Sequence, residues 1–280
     1  MSRPLLITLL AATVAPHPAL AEDGPGSVSN FTKTVVAEVG KLEAGNLQVT
    51  DITLSIVRDD GNGVRVPLTL AESDAIRLIG MGDAARIEDL DVAVKSPGGK
   101  VWADMAATNR PELSFTAPEA GDYEATVVLT KASGGAGSGY FVLVTGYQRD
   151  NAPITALPLL DTVTRIADFM QGQGFEIRQA EMDVLSDKGS TAVDFQIPSG
   201  HYEGCAATAV GSPGRTKKLS LVVQDGRGAE LATGKRTGGT GSLAFFSTSA
   251  ESAKYRAVIS ARTAGGVEDT YAMLLVSCKP

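Results

Sequence analysis

The sequence predicts a mostly β protein built as two tandem antiparallel β-sandwich modules, each preceded by one short α-helix. Three observations carry this. A series of landmarks recurs in the same order at an offset of 128 to 132 residues. Each copy opens with apolar residues at helical spacing. The remainder of each copy is a run of short alternating segments cut by Gly-rich and Asp-rich turns.

The chain opens Met1-Ser2-Arg3, continues through the apolar stretch Leu5 to Val14, and reaches Ala19-Leu20-Ala21. One positive charge, a short apolar core and a small-x-small site make residues 1–21 a secretory signal peptide. No later window approaches the roughly 20 apolar residues that cross a bilayer, so no membrane insertion is expected. The expected location is the periplasm or the extracellular space.

The first helix is expected where Phe31, Val35, Val36, Val39 and Leu42 recur, and the second where Leu159, Leu160, Val163, Ile166 and Met170 do. A strand succeeds each, Leu47 to Val57 and Phe175 to Leu185, closed by the turns Asp59-Asp60-Gly61-Asn62-Gly63 and Ser186-Asp187-Lys188-Gly189-Ser190. Asp91 to Val94 matches Ser220 to Val223, the strand of Tyr123 matches that of Tyr255, and Tyr140 to Val144 matches Tyr271 to Leu275. Closely spaced turns between alternating runs are the pattern of an antiparallel sandwich. The first module is placed at 22–147, a polar, Pro-containing linker at 148–156 and the second module at 157–280.

The run Asp89-Leu90-Asp91-Val92-Ala93-Val94-Lys95-Ser96-Pro97-Gly98-Gly99, followed by Glu112-Leu113-Ser114-Phe115-Thr116-Ala117-Pro118-Glu119-Ala120-Gly121-Asp122-Tyr123, resembles the bacterial pre-peptidase C-terminal domain family, and through it the collagen-binding domains of secreted collagenases. The likeness spans roughly Asp83 to Gly146 and fades in the second copy, where Ser220 replaces the acid at Asp91. It implies a jelly-roll-like sandwich of the kind attached to secreted hydrolases. It also implies calcium as the one cofactor to consider, with Asp83, Glu88, Asp89 and Asp91 as the positions to watch. Solvated acids at a strand edge are the plainer reading, because a hard cation needs six or more converging oxygens.

Charge and residue inventory exclude several functions. The net charge is −7, becoming −8 if Arg3 leaves with the leader, and an acidic surface gives no reason to bind nucleic acid. His201 is the one histidine beyond the leader, and neither Gly137-Ser138-Gly139 nor Gly241-Ser242 has the Gly-x-Ser-x-Gly spacing of a nucleophile elbow. Gly80-Met81-Gly82-Asp83-Ala84-Ala85 has the spacing of a dinucleotide fingerprint, but strands and turns come after it in place of a helix. Two cysteines seventy-three residues apart and one histidine lack zinc-ligand spacing. Trp102 reads as core rather than as a sugar platform. No catalytic residue is assigned.

Cys205 and Cys278 are expected to form a disulfide, because free thiols persist poorly in an oxidising compartment; the alternative is two separate buried thiols. When the copies are aligned they fall at Ile76 and Tyr147, so the two positions are expected to be neighbours across the sandwich. The leading expectation for function is an exported, non-enzymatic binding or structural protein that engages a protein or an envelope polymer, with two similar faces available for avidity. The alternative is a secreted hydrolase, or a calcium-stabilised accessory module of one. The first copy, which keeps the family-like acids, is where a site is expected.

Overall fold

Strand alternation and helical periodicity are both realised in the computed structural model, which describes residues 28–148, 154–197, 202, 204–237, 240–248 and 253–280. The expected leader, residues 149–153 of the expected linker, and His201 lie outside them. The first half runs α1 (Val28–Ala44), β1 (Leu47–Arg58), β2 (Val64–Leu70), β3 (Ala75–Gly82), β4 (Ile87–Lys95), β5 (Val101–Asp104), β6 (Glu112–Thr116), β7 (Gly121–Ala132) and β8 (Ser138–Gln148). The second runs α2 (Leu157–Gly172), β9 (Glu176–Ser186), β10 (Ser190–Ile197), β11 (Gly204–Gly211), β12 (Thr216–Asp225), β13 (Glu230–Thr233), β14 (Lys235–Arg236), β15 (Gly241–Phe246), β16 (Ala253–Thr263) and β17 (Asp269–Lys279).

Strand order is the same in both halves. The first stacks β1-β8-β3-β6 on β2-β7-β4-β5, and the second stacks β9-β17-β11-β15 on β10-β16-β12-β13, with β14 as an edge addition that has no counterpart. Each is an eight-stranded jelly roll. The two inner sheets are one sheet. β1 and β9 pair antiparallel, Ile52 with Met182, Thr53 with Glu181 and Leu54 with Ala180, which joins the halves into nine strands ordered β14-β15-β11-β17-β9-β1-β8-β3-β6. Each half thereby removes the other's exposed sheet edge, the surface on which unrelated chains would otherwise pair. By their place in the repeat Thr53 and Glu181 are equivalent positions, so the pair lies at a local two-fold axis.

Two-residue alternation sorts the side chains of this sheet between its faces. Ile52, Leu54, Tyr140, Val142, Ala180, Met182, Tyr271 and Met273 share one core with both helices. On the opposite face Leu78, Phe141 and Leu143 pack under the first outer sheet, while Ala207, Leu274 and Val276 pack under the second. From α1, Phe31, Val35, Val39 and Leu42 are buried, and from α2, Leu159, Leu160, Val163 and Met170, as the periodicity predicts; Val36 and Ile166 are partly buried against the same core. Ala156, at the N-cap of α2, offers no side-chain oxygen. The Glu43 carboxylate at the end of α1 accepts the Ala156 backbone N–H at 2.7 Å instead, placing a negative charge at the positive end of α2.

Two tyrosines at equivalent positions lock the seam reciprocally. The Tyr140 hydroxyl on β8 donates to the Ile177 carbonyl on β9 at 2.9 Å, and the Tyr271 hydroxyl on β17 donates to the Val49 carbonyl on β1 at 2.6 Å. Both acceptors stand beside irregularities, where the β1–β8 register shifts after Val49 and the β9–β17 register shifts after Ile177. A bulge turns a carbonyl out of the ladder, and in each case the other half supplies the phenol that satisfies it.

The Pro-Glu-Ala-Gly motif is a corner. Gly121 has φ 149°, and a Cβ there would sit 2.9 Å from Pro97 Cγ, so only glycine fits without strain. The Tyr123 hydroxyl donates to the Glu119 carbonyl at 2.8 Å, and the Glu119 carboxylate accepts the Gly98 N–H at 2.7 Å. The resemblance noted in the sequence thus rests on residues that shape a turn.

Cys205 and Cys278 form a disulfide, with Cα atoms 4.1 Å apart. They stand directly opposite each other on β11 and β17, and Ile76 and Tyr147 stand opposite each other on β3 and β8. The equivalence read from the sequence therefore holds. The placement across the sandwich does not, because both pairs are cross-strand neighbours within one sheet.

Candidate functional site

The strands that join the halves are apolar on the helix side and polar on the other. Asp51, Thr53 and Ser55 of β1 and Gln179, Glu181 and Asp183 of β9 alternate with the residues that face the helices. The two outer sheets each cover one half and leave this polar strip between them. A cleft of about 1300 Å³ opens over it, floored by Thr53, Ser55, Arg178, Gln179 and Glu181. One wall is the stretch Val64 to Pro67 of β2. The other comprises Ala192 and the stretch Asp194 to Gln196 of β10, the stretch Lys254 to Arg256 of β16, and the turn Asp225-Gly226-Arg227-Gly228. Among the described residues β2 pairs only with β7 and β10 only with β16, so both walls are sheet-edge strands.

Carboxyl groups crowd the polar strip, Glu181 within the cleft and Asp51 and Asp183 outside its lining. Burial pushes the Glu181 carboxyl up to about 7 and outweighs the stabilising donation from Gln179 Nε2 at 3.2 Å, while the negative charges of Asp183 and Asp194 add to the rise. Burial also holds Asp51 well above the usual carboxylate range, reinforced by Glu181 and Asp183 and opposed by the Thr53 hydroxyl, which donates at 3.2 Å. Asp183 accepts the Val184 backbone N–H at 2.7 Å. Burial first, and neighbouring negative charge second, therefore keep Glu181 and Asp51 protonated to higher pH than an exposed carboxyl.

Cations outnumber acids in the same cleft. Six basic side chains line it, Arg58, Arg65, Arg178, Arg227, Lys254 and Arg256, against the four acids Asp60, Glu181, Asp194 and Asp225. Arg256 is bidentate to Asp194 at 2.6 and 2.9 Å. Arg178 is 12% exposed, stacks 5.4 Å from the centroid of the Tyr202 ring, and reaches Glu176 at 3.5 Å. Among the described residues its Nε has no hydrogen-bond partner.

The acids singled out in the sequence lie elsewhere and are separately engaged. Asp83 accepts the Ala85 N–H at 3.1 Å, and Glu88 pairs with Lys131 at 2.5 Å. Asp89 accepts the Thr108 N–H at 3.0 Å, and Asp91 accepts the Thr130 hydroxyl at 2.9 Å. Among the described residues no three His, Cys, Asp or Glu side chains are grouped to hold a metal. Trp102 is half-buried, stacked on Phe115 with centroids 4.4 Å apart. The cleft itself draws on both halves, whereas the sequence pointed to the first copy alone. The signal was present in the polar face of β1 and β9 at equivalent positions, but alternation does not reveal that two polar faces share one floor.

No family model matches the chain, and no curated protein does. Several solved structures are similar at low identity. The exported protein XepA of PBSX shares 11% identity over 83% of this chain and 87% of its own, with a TM-score of 0.25. The tandem CBM22-1–CBM22-2 domains of Paenibacillus barcinonensis Xyn10C share 9% over 84% and 98%, with a TM-score of 0.23. The M60 catalytic domain with CBM51-1 and CBM51-2 of Clostridium perfringens ZmpB shares 8%, with a TM-score of 0.25; the chain covers only 34% of that structure. At these scores the likenesses carry no activity over. Among the described residues no helix is long and apolar enough to cross a membrane.

Proposed function

We propose that the chain is an exported, non-enzymatic binding protein whose inter-sandwich cleft holds a segment of a protein or an envelope polymer. The cleft carries this reading, because two jelly rolls joined by a rigid shared sheet hold two walls and a polar floor in fixed register. Ligand sites commonly form at such junctions. A fixed geometry also spares the ligand the ordering cost that a hinged pair of modules would impose. Export is supported by the leader-like residues 1–21 and by the disulfide.

Filling the floor tests the reading. Thr53→Trp adds bulk at the two-fold axis, and its melting temperature checks that the fold survives. Envelope components captured by the unaltered chain are expected to be lost from a folded Thr53→Trp variant and retained by Phe169→Ser, a change at an exposed position on α2. Equal capture by both variants contradicts the reading.

A second reading, a hydrolase, is favoured by one observation. Glu181, with a pKa near 7 beside other carboxyls, has the protonation behaviour that a general acid needs. Turnover of a glycoside or peptide that disappears in Glu181→Gln would establish it.

A further inference from the structure

The cleft is net positive in a chain that is net negative. Its lining carries six Lys or Arg side chains and four Asp or Glu, while the whole chain stands at −7. A concave site of one sign on a surface of the other concentrates ligands of opposite charge. Arg256 is neutralised by Asp194, Arg65 faces Glu124 at 3.7 Å, and Arg178 at the floor reaches Glu176 at 3.5 Å while its Nε is satisfied by no group among the described residues; Arg227 and Lys254 are exposed at the rim.

The walls add a second requirement. Both are edge strands, and an edge offers backbone N–H and C=O groups to any extended chain laid beside it. The two edges differ. β2 carries Pro67, which has no N–H, at the cleft wall, and proline is a common means of closing an edge. β10 has no proline, and over Ser190 to Phe195 it alternates inward Val193 and Phe195 with outward Ala192 and Asp194. The aromatic residues in the lining, Phe195 and Tyr255, are 5% and 4% exposed, so they offer no ring face for stacking a sugar.

We propose that the occupant of the cleft is an extended acidic peptide segment of a partner protein, added as a strand along the Ser190 to Phe195 stretch of β10 with its carboxylates on Arg178, Arg227 and Lys254. The proposal rests on the binding function above and names its ligand class. Strand addition supplies affinity through the backbone. The cations select acidic side chains and speed encounter at low salt.

The test uses the full chain and fluorescein-labelled decapeptides read by anisotropy. Decaglutamate is expected to bind at least tenfold more tightly than a Gly-Ser decapeptide, and decalysine not at all. N-methylation at alternate residues of decaglutamate, which removes ladder donors while keeping the charge, is expected to weaken binding tenfold or more. The same loss is expected on Arg178→Ala and on Arg227→Ala with Lys254→Ala. Because the rim pair is exposed, the double change tests the charge without threatening the fold. Polygalacturonate serves as an acidic polymer without peptide groups. If it binds, loses affinity in the same variants, and outcompetes decaglutamate, the peptide proposal is overturned while cleft binding stands. Equal binding of the N-methylated peptide overturns strand addition. If neither polymer binds and Thr53→Trp leaves envelope capture unchanged, both the proposal and the binding function fail.

Discussion

Reduction of the disulfide between Cys205 and Cys278 is expected to lower the melting temperature by on the order of 10 °C. Closing a loop of 73 residues restricts the unfolded chain by roughly 4 kcal/mol in the chain-entropy model, and in a protein of this size each kcal/mol shifts the midpoint by about 2–4 °C. The first half shows what the second would need without the bond, because Ile76 and Tyr147 occupy the same cross-strand positions there. Replacing Cys205 with Ile and Cys278 with Tyr is therefore expected to recover part of the stability that the paired change to Ser loses. Thermal unfolding with and without reductant, on the unaltered chain and the two double variants, checks this. A midpoint indifferent to reductant would mean that the bond constrains little in the unfolded chain.

Stability is also expected to fall as pH rises from about 4.5 to about 7, and Glu181→Gln is expected to abolish much of that fall. The folded protein holds the Glu181 proton up to a pKa of about 7, whereas the unfolded chain releases it near the ordinary 4.5. Between these values the folded state binds more protons than the unfolded one, so each step up in pH favours unfolding. The penalty is absent below about 4.5 and complete above about 7. The interval sets an upper bound of about 3 kcal/mol, reduced in practice because part of the side chain keeps contact with solvent. Asp51 is raised by the same burial and the same neighbours and adds in the same direction. Urea unfolding of the unaltered chain and of Glu181→Gln at several pH values is the measurement. The variant should be the more stable by about 1–3 kcal/mol at pH 8 and should lose its advantage towards pH 4.5.

The elements of the fold were legible because each rests on a local pattern. Helical spacing marked α1 and α2, and two-residue alternation marked β1 and β9. The recurrence of Tyr140 at Tyr271 and of Ile76–Tyr147 at Cys205–Cys278 fixed equivalences that the strand order shares. The seam was not legible. Thr53 meets Glu181 through backbone hydrogen bonds between strands 128 residues apart, and such bonds use groups that almost every residue carries, so they leave no mark in the side-chain sequence. The cysteines show the same limit. Alignment of the copies identified Cys205 and Cys278 as neighbours, but only strand order distinguishes neighbours within a sheet from neighbours across a sandwich. The acids from Asp83 to Asp91 stood out because they cluster in sequence, whereas Asp51, Glu181 and Asp183 cluster only after two halves meet.

The seam organises everything else: the shared helix core, the reciprocal tyrosines and the cleft all depend on β1 pairing with β9. Thr53 and Glu181 are directly opposed in that pairing, and opposed residues in an antiparallel pair stand about 4.5–5.5 Å apart, within reach of a disulfide. The double variant Thr53→Cys with Glu181→Cys, oxidised as a dilute monomer and mapped by proteolysis under non-reducing conditions, measures the register directly. An intramolecular bond between positions 53 and 181, formed with the native Cys205–Cys278 bond intact, is the expected result. Two free thiols at these positions in the folded protein, or a bond formed only between separate chains, would contradict the joined sheet.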